Sequence, residues 1–109
     1  MIRIHGKIGF GFIQAAPYKT KSDTIDEMQR WSNKTPVQDI IAHIETLDAA
    51  YMAGLGESQD AFTGEYFPAA IFTDGKFVFP VDVLRYLKQG NIHGVPKEYE
   101  KHIIKTNSR

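Results

Sequence analysis

Apolar side chains recur on alternate residues at the start of the chain and on every third or fourth residue in its middle. Ile2, Ile4, Ile8, Phe10 and Phe12 fall on even positions, Arg3, His5 and Lys7 alternate with them, and Gly6 fills the gap. A period of two predicts one strand over residues 2–14 with a buried even face. A hairpin turning at Gly6-Lys7 would split the apolar set between two faces, so the single strand is the expectation. Further on, Ile25, Met28 and Trp31 form a thin helical stripe. Ser22 or Asp23 can cap it, Asp26 and Glu27 suit the N-terminal dipole, and Asn33 and Lys34 end it. Thr35-Pro36-Val37-Gln38 combines a Thr N-cap, a proline at the first helical position and a glutamine at N3. Val37, Ile40, Ile41, Ile44, Leu47 and Tyr51 then share a face and Gly54 supplies a stop, which predicts a helix over 36–53.

Residues 54–68, GLGESQDAFTGEYFP, read as loop, its end overlapping the next apolar run. Tyr66–Thr73 and Lys76–Phe79 are aromatic and β-branched runs on either side of Asp74-Gly75, a strong short-range hairpin signal. A type I′ turn there would set Phe72 opposite Phe77 and Ile71 opposite Val78, while Pro68 delays the first strand or places it at an edge. Pro80 opens a helix with Val83, Leu84 and Leu87 inward and Gly90 as its stop. After Pro96 a last helix carries Tyr99, Ile103 and Ile104 on one side, and the TNSR tail frays. The order β-α-α-β-β-α-α predicts a single α+β domain over residues 1–109. Its small, largely antiparallel sheet, one N-terminal strand plus a hairpin, packs with about four helices.

Composition adds exclusions. With 109 residues and 42% hydrophobic content, the chain can bury one core without staples. The lack of cysteine excludes disulfides, thiolate catalysis and thiolate metal sites. The opening MIRIHGKIGFGF has no continuous apolar stretch, and no apolar run approaches the roughly 18 residues of a membrane span, so a cytoplasmic protein without membrane contact is expected.

Charge changes the picture more. Thirteen basic and thirteen acidic residues cancel, which argues against a direct nucleic-acid partner held by bulk charge. They are not mixed evenly. Asp39, Glu45, Asp48, Glu57, Asp60, Glu65 and Asp74 fall in residues 35–75, which hold no lysine or arginine, and the excess basic residues flank that block.

Few motifs in the chain carry chemistry. Gly9-Phe10-Gly11 and Gly54-Leu55-Gly56 do not continue into a phosphate-binding pattern, and the second follows a helix where an anion cradle precedes one. Gly56-Glu57-Ser58-Gln59-Asp60 lacks the closing glycine and the preceding strand of a nucleophile elbow. Glu57, Asp60 and Glu65 could supply an acid–base pair or oxygen ligands, but loop acids are usually exposed. Asp48 falls on the apolar face of the predicted helix near Ile41, Ile44 and Met52, where a carboxylate needs a partner or surface access. His5, His43, His93 and His102 show no metal-ligand spacing, so no metal or cofactor is implied. Lys97, Lys101 and Lys105 read as a solvated ridge.

The acidic block, interleaved with Phe62 and Tyr66, suits a basic partner, because charge complementarity steers encounter and aromatic anchors supply affinity. The expected function is therefore a small inhibitor of the immunity-protein or phage-inhibitor type. It would neutralise a toxin, nuclease or nucleic-acid-binding effector through Asp39, Glu45, Asp48, Glu57, Asp60, Phe62, Glu65 and Tyr66. The alternative is a small hydrolase or metal-dependent enzyme built on Asp48 and the loop carboxylates.

Overall fold

The computed structural model describes residues 2–4, 6–12, 21–50 and 56–107. Residues 13–14 of the expected strand, Tyr51 and Met52 on the helix, Gly54 as its stop and residues 108–109 lie outside the described residues. Residues 10–12 are described but belong to no strand, and Thr106 and Asn107 of the tail expected to fray are helical.

The first apolar run folds as a hairpin and not as one strand. β1 (Ile2–Ile4) pairs antiparallel with β2 (Lys7–Gly9), with Ile4 opposite Lys7, and the chain reverses through Gly6 at φ +80°. That backbone conformation is open to glycine at little steric cost. The split has a structural reward: β2 runs parallel to a central strand, with Ile8 N–H donating to the Lys76 carbonyl at 2.7 Å and Phe10 N–H to that of Val78 at 3.2 Å. Phe10 is thereby delivered into the core.

Two helices follow, α1 (Lys21–Arg30) and α2 (Val37–Glu45). Met28 is fully buried in α1, with Ile25 and Trp31 packed at the edge of the core. α2 starts one residue later than the Thr-Pro signal predicts, with Pro36 (ψ 140°) as the N-cap in place of Thr35 and no side-chain cap. It ends eight residues earlier than expected, relative to residue 53. Thr46 supplies the reason: its amide and hydroxyl both turn back to the His43 carbonyl, at 3.1 and 2.6 Å. The released chain becomes β3 (Ala49–Ala50), which lies antiparallel at the sheet edge with Ala49 opposite Phe72. Asp48 is consequently no longer on a helix face. It is exposed in the connection.

The segment expected as loop contains a second hairpin, β4 (Glu57–Gln59) with β5 (Tyr66–Pro68). Pro68 ends β5, and the strand entering the main sheet begins late, as β6 (Ile71–Asp74), paired with β7 (Phe77–Pro80). The register differs from expectation by two residues: Asp74 faces Phe77 and Phe72 faces Phe79, which leaves Gly75-Lys76 as the turn. A slip of two preserves which face each side chain occupies. Phe72 and Asp74 therefore both point inward, while Thr73 is exposed.

α3 (Val81–Gln89) starts after Pro80 and stops at Gly90, whose φ of +79° closes the helix as predicted. α4 (Lys97–Asn107) buries Tyr99 and Ile103, whereas Ile104, expected on the same side, is exposed. The main sheet has the order β1-β2-β7-β6-β3, and among the described strands only the β2–β7 pairing is parallel. The α+β class and the helix order match the sequence reading.

One core joins sheet and helices: Phe10, Phe72, Phe77 and Phe79 meet Ile40 and Ile44 of α2, Val83 and Leu87 of α3, and Tyr99 of α4. Phe10 stacks on Phe79 at 4.8 Å between centroids, and Tyr99 lies 5.1 Å from each. Such pairs contribute about 0.5–1.5 kcal/mol each beyond their area burial. Asn33 and Glu100 tie the α1–α2 connection to α4. Asn33 accepts from Val95 N–H at 2.7 Å, and Glu100 accepts from Thr35 N–H at 2.8 Å and from Asn33 at 3.2 Å. Burial raises the Glu100 pKa, but these hydrogen bonds and that of Lys34 outweigh it and hold the carboxyl below its ordinary range.

Candidate functional site

The β4–β5 ribbon is built by its own turn. Asp60 N–H donates to the Glu65 carbonyl at 2.7 Å, and Asp60 Oδ1 accepts from the amides of Phe62 and Thr63 at 2.7 and 3.0 Å. An aspartate bonding the backbone two and three residues on is a local turn device that needs no regular secondary structure. Its other oxygen, Oδ2, receives Arg85 Nε at 2.6 Å and Gln89 Nε2 at 2.7 Å from α3. Asp60 is only 1% exposed. Burial pushes its pKa up, but the bonds from Arg85, Gln89, Phe62 and Thr63 prevail and hold it far below the carboxylate range.

This overturns one expectation: Asp60 is spent inside the protein and does not face a partner. Phe62 is likewise turned inward, edge-on to Tyr86 at 4.9 Å, because the turn that Asp60 closes points it at α3. Arg85, pinned by Asp60, also reaches Glu65 at 3.1 Å and lies over the Phe67 ring at 4.6 Å. Asp60 and Glu65 thus converge on a cation and not on a substrate cleft.

What remains outside is one face of the ribbon. Ser58 and Phe67 pair across the strands and face inward, so the flanking pairs Glu57–Pro68 and Gln59–Tyr66 face outward. Tyr66 is 67% exposed, the largest exposure of any bulky apolar side chain among the described residues. Of the other expected partner residues, Asp39 and Asp48 are exposed, and Glu45 is ion-paired with Lys88 at 3.0 Å.

Sequence reasoning missed a second polar centre. Asp74 sits at the end of β6 on the face occupied by Phe72, and its carboxylate accepts from His43 Nε2 at 2.7 Å, Tyr99 Oη at 2.7 Å and His102 Nε2 at 3.0 Å. One carboxylate therefore joins α2, α4 and the β6–β7 turn. Desolvation raises the Asp74 pKa, but the bonds from His43, Tyr99 and His102 win and lower it, while Tyr99 is pushed up by burial and by the neighbouring carboxylate. His43 Nδ1 lies 3.4 Å from Asn107 Nδ2, so both ring nitrogens of His43 have a polar neighbour. A signal for the centre existed: Asp74 lies two residues beyond an inward Phe, and His43 borders the apolar stripe of α2. Reading Asp74-Gly75 only as a hairpin turn hid it.

Among the described residues, no group of three or more His, Asp or Glu side chains is arranged to hold a metal ion, and no helix is long and apolar enough to cross a membrane. No protein-family model matches the chain, and comparison with curated proteins and with solved structures likewise finds no match.

Proposed function

We propose that this chain is a protein-binding inhibitor that docks a basic partner, such as a nucleic-acid-processing effector, through the outer face of the β4–β5 ribbon. The observation that carries this reading is Tyr66, which stands exposed on the same outward face as Glu57, with Glu65, held by Arg85, at the rim. An aromatic anchor with an acidic surround is the arrangement that gives affinity at its centre and steering at its rim. The ribbon's rigidity, set by the Asp60 turn and its bonds to α3, lowers the ordering cost of docking.

Kinetics with the partner test each part separately. Glu57→Lys with Glu65→Lys should slow association by about tenfold and flatten its salt dependence, because steering acts on the on-rate. Tyr66→Ala should leave association near wild type and speed dissociation by about tenfold or more, as loss of a central anchor does. Unchanged rates in both variants would refute the proposal. The alternative, a hydrolase or metal-dependent enzyme on Asp48 and the loop acids, draws no support from this arrangement: Asp48 is exposed in a connection and Asp60 is committed to Arg85.

A further inference from the structure

The fold gathers basic groups at a place where the sequence scatters them. A cleft of about 530 Å³ lies between the β6–β7 turn and α4. Among the described residues its apolar lining is Ile8 and Phe77, and around them stand Lys76 from the turn and Lys101, His102 and Lys105 from α4, with Glu98 as the one carboxylate. Lys101 and Lys105 share a helix face by their spacing of four. Lys76 joins them because the two-residue register difference puts it in the turn, and Lys7 Nζ braces that turn by donating to the Gly75 carbonyl at 2.8 Å.

His102 gives the cleft a fixed wall. Its Nε2 donates to Asp74, its ring stacks on Tyr99 at 5.9 Å with 16° between planes, and its edge lies against Gly75, where a Cβ would come within 2.8 Å of Cε1. The cleft volume falls in the range of small-molecule sites, about 300–1,000 Å³. Lysines from two elements gathered in one cleft raise the local potential, which a multiply charged anion relieves. A singly charged carboxylate would use less of that potential, and a purely inorganic ion would leave the apolar lining unused.

We infer that this cleft is a binding site for an organic phosphate monoester with an apolar or aromatic body, distinct from the β4–β5 ribbon. Lys76 and Lys101 hold the phosphate oxygens as point charges, and Lys105 adds its charge one turn further along α4. Ile8, backed by the buried Phe77 ring, meets the organic body, and Asp74 acts as a positioning residue through His102. The same chemistry is presented by a free small molecule and by the 5′-phosphorylated end of an oligonucleotide.

The test is titration of the full chain, followed by amide chemical shifts, with phenyl phosphate, inorganic phosphate, phenol and a 5′-phosphorylated hexanucleotide. Phenyl phosphate should shift Ile8, Lys76, Phe77, Lys101 and His102 and bind at least about tenfold more tightly than phenol or inorganic phosphate, since charge and apolar contact add. Lys76→Glu with Lys101→Glu should weaken it by about tenfold or more, with circular dichroism and the melting transition confirming a folded chain. If phenyl phosphate and the hexanucleotide both leave these amides unmoved, if phenol matches phenyl phosphate, or if the folded double variant binds as wild type does, the inference is overturned. When phenyl phosphate or the hexanucleotide binds at these amides more tightly than phenol and inorganic phosphate, and the double variant weakens it, the site is upheld, and the tighter of the two identifies its source.

Discussion

Three inward aspartates show how differently one side chain is accommodated. Asp60 is fully paired, Asp74 is shared among two imidazoles and a phenol, and Asp82 is buried at the first turn of α3 with its pKa pushed up to about 6. Burial is the main cause for Asp82, and the nearby negative charge of Asp60 adds to it. Asp60→Ala strands Arg85 and Gln89 and removes the turn's two amide bonds. Because Arg85 is part-exposed, a loss of about 3 kcal/mol, at the low end for breaking a buried pair, is expected from urea denaturation. Asp60 and Asp74 have depressed folded pKa values, so their stabilisation is present above about pH 4, the ordinary aspartate value, and is lost as pH falls below it. Asp82 works the other way: its raised value makes its contribution complete below about pH 4 and lost as pH rises through about 6. Asp82→Asn should therefore gain about 2 kcal/mol relative to wild type on moving from pH 4.5 to 7.5, measured by denaturation at both values. An equal difference at the two pH values would show that Asp82 is not strained by burial.

Among the elements, the β6–β7 turn carries the most structure for its length. Gly75 has a φ of +58°, and a Cβ there would press on the His102 ring. Gly75→Ala is expected to cost about 2–3 kcal/mol, of which the backbone accounts for about 1–2 kcal/mol. In a His102→Ala background the same change should cost less, because the contact part is relieved; a thermal-denaturation double-mutant cycle measures this coupling. Elements with strong local chemistry were legible in the sequence: the start of α2 to within one residue, the Pro80 and Gly90 bounds of α3, and the β6–β7 hairpin. The differences arise where tertiary contacts overrule local pattern. Periodicity carried α2 past Thr46, but pairing of Ala49–Ala50 with β6 claims that segment for the sheet. The even-face apolar set of residues 2–12 hid a turn that only the parallel pairing with β7 explains. The β4–β5 ribbon left almost no periodic signal in three-residue strands, and its turn depends on Asp60 bonds that reach into α3.

Across the molecule, the charge asymmetry of the sequence is partly folded away. Of the seven acids in residues 35–75, Asp60 and Glu65 meet Arg85, Glu45 meets Lys88, and Asp74 meets His43 and His102. The lysine-free block is thus complemented largely by cations of α3, a pairing that sequence distance conceals. The surface that survives is narrower than the block: Glu57 and Tyr66 on the outer face of the ribbon, with Asp39 and Asp48 exposed elsewhere along the chain. The basic residues that the sequence shows as a diluted ridge gather instead at the cleft beside His102. The acidic character of the candidate surface was legible, whereas its extent was not, because exposure depends on which acids find cations after folding.

Affinity capture from the native host's lysate at low salt, with wild type and Tyr66→Ala run side by side, decides whether the ribbon is a recognition surface. Wild type should retain a basic protein that high salt releases, and Tyr66→Ala, folded as judged by its melting transition, should lose at least about tenfold of it. Retention of the same protein in equal amount by both chains, or retention indifferent to salt, would contradict recognition through the β4–β5 face.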